Sequence, residues 1–151
     1  MELLAKCEPA GTTRLGPLLF ELAKRIKKRS LIIIISDFLD PEQEIETNLK
    51  MLSHHKNELV LFQTLSREEL EFPFNDMSWF EGLEDEGKVL IEPSQLKKKY
   101  LKLLDGWQEK LKRIAAELGA DYELFRTDQN PSSLLCAYLL FRSQTQRRRA
   151  G

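Results

Sequence analysis

Two cysteines and two histidines are all the thiol and imidazole ligands that 151 residues contain. Cys7 and Cys136 stand far apart with no metal-ligand spacing, which excludes a zinc finger or ribbon and suits a reduced, cytoplasmic protein. Cys136 lies among Leu134, Leu135 and Leu139 and reads as a small core residue. His54 and His55 fall together near the end of an amphipathic segment and suit a helix terminus better than a catalytic triad. Glycine is sparse, and "GTTRLGPLL" lacks the lysine and spacing of a phosphate loop. No apolar stretch approaches the roughly 18 residues of a membrane span. The start, "MELLAKCEPAG", has no basic residues followed by an apolar run, so no secretory signal is read. A surplus of charge is missing too: the formal net charge is -1, which gives no overall pull toward nucleic acid or an anionic surface. The basic tail, residues 147–151, reads as a solvated terminus after one domain, residues 1–146.

What is present is a strong alternation of helix and strand patterns. Leu15, Leu18, Leu19, Leu22, Ala23 and Ile26 recur at helical spacing, and five of the residues 24–29 are cations, which suit that helix's C-terminal end. "LIIIIS" follows as a strand. It does not alternate with polar residues, so burial on both faces is expected, as in a parallel sheet covered by helices. Asp40 is placed to cap the next helix, with Pro41 at its first position and Gln43 closing a capping box. Ile45, Leu49 and Leu52 give that helix its buried stripe, and "ELVLFQTL" is the second strand. Residues 66–93 are an insertion, with a hairpin expected around Asp85 to Gly87. From Ser94 to Gly119 the spacing predicts one long helix, weakened by Gly106 but not broken. "DYELFRT" is a third strand. Asn130-Pro131 opens a last helix whose apolar face uses Leu134, Leu135, Tyr138, Leu139 and Phe141. The fold class is therefore α/β, a partial doubly wound, Rossmann-like parallel sheet with helices on both faces and a small hairpin insertion. Three main strands are few for such a sheet, which suggests part of a larger domain.

Ligands of open parallel sheets bind outside the carboxyl ends of the strands, and Asp37 follows a strand directly. Its carboxylate there can bind a divalent cation, accept a phosphoryl group or cap a loop. Thr13 in "GTTRL" can cap the helix after it or add a hard oxygen ligand beside Asp37. Asp128, after the third strand, is the acidic residue that an alternative reading needs: a magnesium-dependent phosphoryl-transfer or nuclease-like enzyme built on Asp37 and Asp40. Phe72, Phe74, Trp79 and Phe80 are not interleaved with basic residues, so they suit an insertion packed on the domain rather than base stacking.

The order "GTTRLGPLLFELAKRIKKRSLIIIISDFLDP", "ELEFPF", "WFEGLE", "KKKYLKLL" and "LGADYELFRTDQNPSSLLCAYLLFR" resembles a bacterial family of von Willebrand factor A-like proteins, often called domain of unknown function 58. The resemblance runs over residues 10–143. It implies a von Willebrand A fold with a metal-ion-dependent adhesion site, in which Thr13 and Asp37 are two of the magnesium-binding segments. The third, an Asp-x-Ser-x-Ser loop, occurs nowhere in the chain. The chain thus resembles the C-terminal half of that domain, and weak or absent Mg2+ binding is expected of it alone. The resemblance further implies a non-enzymatic protein-binding module working with a MoxR-type AAA+ ATPase in complex assembly. No nucleic-acid partner and no membrane segment are expected. An open sheet edge would also allow self-association, as in a structural oligomerisation fragment.

Overall fold

The computed structural model describes residues 14–54, 56–73, 78–81, 88–91 and 93–150. The elements run α1 (Leu15–Arg25), β1 (Leu31–Ser36), α2 (Glu42–Ser53), β2 (Glu58–Leu65), α3 (Arg67–Glu71), β3 (Ser78–Glu81), β4 (Lys88–Ile91), α4 (Pro93–Leu118), β5 (Asp121–Arg126) and α5 (Pro131–Ala150). Strands β1, β2 and β5 form a parallel sheet in that order, and β3 pairs with β4 as a separate antiparallel ribbon. The expected α/β class, parallel sheet and hairpin strands are all present; residues 85–87 lie outside the described residues.

Register sorts the side chains into two layers. Ile32 pairs with Leu59 and Ile34 with Leu61, so these four share one face. Onto that face pack Leu15, Leu19 and Ala23 of α1, Ile45, Leu49 and Leu52 of α2, and Trp107, Leu111 and Ile114 of α4. Helices α1 and α2 meet closely at Gly16, where an added Cβ would stand 3.2 Å from the Cβ of Glu44, and Asn48 donates to the Gly16 carbonyl at 2.9 Å. The opposite face holds Val60 and Phe62 under Tyr138 of α5, with the Phe62 ring stacked on Phe125 at 4.6 Å. Arg142, one turn beyond Tyr138, ties α5 to the sheet through Asp121 at 2.9 Å and Glu58 at 2.5 Å. Glu58 also accepts from Arg29, and these guanidinium groups hold its carboxyl below the usual range.

Three expectations are corrected. Strand β1 is not buried on both faces: Ile32 and Ile34 are buried, but Leu31, Ile33 and Ile35 are exposed, Ile35 by 67%. Among the described residues β1 is an edge strand because β2 is its one sheet neighbour, and its outward side chains are bare because α5 packs on Val60 and Phe62 of β2 instead. Leu135, Leu139 and Phe141 of α5 are exposed as well, and of its expected apolar face only Tyr138 is buried. Cys136 is exposed rather than a core residue. Helix α5 also runs through residues 147–150 of the basic tail.

The long helix α4 ends at Gly119, whose φ of +64° suits a residue without a Cβ. Gly106 sits in the interior of α4 with no atom near its missing side chain. Gly106→Ala should therefore stabilise the protein by about 0.5–1 kcal/mol through helix propensity alone. A chemical-denaturation midpoint that rises without a change of slope is the expected result.

Candidate functional site

Asp37 stands at the carboxyl end of β1, on a turn that three elements hold in place. Within the turn, Leu39 N–H donates to Asp37 Oδ1 at 3.1 Å, Phe38 N–H donates to Ser36 Oγ at 3.1 Å, and that hydroxyl donates to Asp37 Oδ1 at 3.3 Å. From β2, Gln63 Nε2 donates to the Asp37 carbonyl at 2.9 Å. From α4, Trp107 Nε1 donates to the Phe38 carbonyl at 2.8 Å. Phe38 itself has a φ of +59° and is fully buried in the main core. A non-glycine residue in the left-handed region costs on the order of 1 kcal/mol or more. Burial of the ring and the two carbonyl bonds offset that cost, so the backbone on either side of the Asp37 side chain is fixed while its carboxylate stays at the surface.

Behind the turn lies a short polar relay in an otherwise aliphatic layer. Gln63 is fully buried, and its Oε1 accepts from Tyr122 Oη at 2.7 Å. Burial, with the Glu109 and Glu123 carboxylates nearby, pushes the Tyr122 hydroxyl up to about 12, so it remains a proton donor to Gln63 throughout the neutral range. The relay therefore runs Tyr122 to Gln63 to the Asp37 backbone, each donor matched to one acceptor. Neither Gln63 nor Trp107 stands out in the sequence as a site residue. The visible signal was one glutamine inside the apolar run "ELVLFQTL", a buried polar group that must have partners.

The other expected site residues are not gathered with Asp37. Asp40 does not cap α2, whose N-cap is Pro41 without a side-chain bond. Its Oδ1 instead accepts the Leu15 N–H at 3.0 Å, supplying the first turn of α1, which its own N-cap, Arg14, leaves without a side-chain acceptor. Asp128 is gripped by Arg126 through two bonds, at 3.0 and 2.6 Å, and this partner holds its carboxyl below the ordinary range. His54 is the C-cap of α2. Thr13 lies outside the described residues, as do Cys7, His55 and Phe74. Phe72 is buried and its ring lies 5.3 Å from that of Tyr100, a packing role as expected for the insertion.

Magnesium favours near-octahedral oxygen coordination, usually with one or two carboxylates and several waters. Among the described residues, no group of three or more His, Cys, Asp or Glu side chains is placed to hold a metal ion. Asp37 is a single exposed carboxylate whose Oδ1 already accepts from Ser36 and Leu39, and by itself it does not complete such a shell. Among the described residues, no helix is long and apolar enough to cross a membrane. No family model, curated protein or solved structure matches the chain.

Proposed function

We propose that the chain is a non-enzymatic, cytoplasmic protein-interaction module, equivalent to the C-terminal half of a von Willebrand A-like domain. Asp37 is its partner-facing carboxylate. The observation that carries this reading is the pairing of a rigidly held Asp37 turn with the edge and aliphatic face of β1 that stay uncovered among the described residues. A bare edge beside a fixed carboxylate suits pairing with a further strand, and a strand bringing an Asp-x-Ser-x-Ser loop would supply the missing cation ligands at that point. Recognition in such a site is the closing of a cation's open position by a partner's carboxylate, not turnover. The partner class we propose, on the family resemblance, is a MoxR-type AAA+ ATPase. Enzymatic use of Asp37 has less support, because Asp40 is occupied as the acceptor for α1 and Asp128 is neutralised by Arg126.

Asp37→Ala should lower affinity for a MoxR-type ATPase from the same cell at least tenfold in the magnesium-bearing complex, with the melting temperature changed by no more than a few degrees. The small structural effect follows because the carbonyl of residue 37, which Gln63 holds, survives the substitution. Calorimetric titration of this chain alone with magnesium should show weak or no binding. Unchanged ATPase affinity, or micromolar magnesium affinity of this chain, overturns the reading.

A further inference from the structure

The end of the domain opposite Asp37 has its own chemistry. Helix α1 descends to Arg25, and the loop after it carries Lys27, Lys28 and Arg29 into the start of β1. Ser30 N–H donates to Asn57 Oδ1 at 2.9 Å, and Glu58 N–H donates to the Ser30 carbonyl at 2.9 Å. Those bonds bring Lys56 alongside. Arg142 arrives from α5, sharing Glu58 with Arg29. Glu58 is thus already neutralised. Among the described residues Arg25, Lys27, Lys28 and Lys56 have no ion-pair partner, and all four are exposed. A chain with net charge -1 therefore concentrates uncompensated positive charge at one end.

Exposed apolar side chains adjoin these cations. Leu31, directly after the cationic loop, is 54% exposed, and Phe20, one turn before Lys24, has the Lys24 ammonium 4.0 Å above its ring. We propose that this end is a docking surface for an anionic phospholipid bilayer, held peripherally. Exposed ammonium groups on convex loops act as point charges toward a diffuse anionic surface. These apolar neighbours distinguish the bilayer from nucleic acid: a phosphodiester backbone leaves Leu31 and Phe20 in water, whereas the headgroup boundary takes them up. Docked this way, the domain would point Asp37 away from the membrane toward a soluble partner.

Co-sedimentation of the 151-residue chain with vesicles tests this, comparing phosphatidylcholine alone with a mixture holding about 30% phosphatidylserine, near physiological salt. Binding should need the anionic lipid and fall as salt rises. Lys27→Glu with Lys28→Glu should weaken it at least about thirtyfold, from roughly 1 kcal/mol per lysine. Lys98→Glu with Lys99→Glu, the same charge change on exposed positions of α4, should leave it within about threefold, since those residues lie outside the patch and act only as screened charges. Far-ultraviolet circular dichroism checks that both double variants are folded. Equal binding to neutral vesicles, equal loss in both variants, no loss at Lys27 and Lys28, or tighter binding to a short DNA duplex than to anionic vesicles each overturns the proposal.

Discussion

Trp107→Ala should destabilise the protein by about 3–5 kcal/mol. Two losses combine. The indole is buried where α4 meets the main core, so its removal leaves a cavity beside Phe38, Leu111 and the α2 stripe. The same side chain donates to the Phe38 carbonyl, and without it that carbonyl loses its partner on the turn carrying Asp37. Trp107→Phe separates the terms, because it keeps most of the ring and removes the donor. It should cost about 1–3 kcal/mol, the range for stranding a buried acceptor. Urea unfolding of the two variants checks both values. A loss from Trp107→Ala no greater than that from Trp107→Phe would show that packing at this site contributes little.

Gln63→Leu should follow closely, at about 2–4 kcal/mol, although leucine is the more hydrophobic residue. The reason is stranded partners: the Asp37 carbonyl loses a donor, and Tyr122 Oη loses the acceptor that fixes it. Adding Tyr122→Phe should restore about 1 kcal/mol, since removing both ends of a buried hydrogen bond costs less than removing one. Stability of the single and double variants, measured by the same unfolding titration, gives the coupling directly. A double variant weaker than the sum of the singles would contradict the relay. Gln63 and Trp107 hold adjacent carbonyls of one turn, so their combined substitution should also be non-additive. Both are positioning residues for Asp37, and in the proposed complex each should lower partner affinity even where the chain remains folded.

The acidic positions show how far local pattern reaches. Asp40 before Pro41 has every local mark of a cap for α2, yet it caps α1, 25 residues back in sequence. The sequence shows which side chain can accept an N–H; the fold decides which N–H arrives. Helix α3, inside the stretch expected as an insertion, is marked locally. Ser66 and Glu69 form a reciprocal capping box, and "SREE" carries that signature outright. The charge distribution was half legible. The run at residues 24–29 is plain in the sequence, but its convergence with Lys56 and Arg142 comes from strand register and from the docking of α5.

The elements and the fold class were readable from the chain alone. Period and turn chemistry are local, so β2 falls on "ELVLFQTL", α4 ends at a glycine, and a carboxylate follows β1. Only the tertiary structure decided which apolar residues are covered. Ile34 and Ile35 are neighbours of identical chemistry; one is buried and the other is exposed, because among the described residues helices pack on the Ile34 side of β1 alone. Likewise Asp37 was visible from its place in the chain, but its rigidity was not. That comes from Gln63 and Trp107, 26 and 69 residues removed from the carbonyls they hold, a contact that no local pattern can encode.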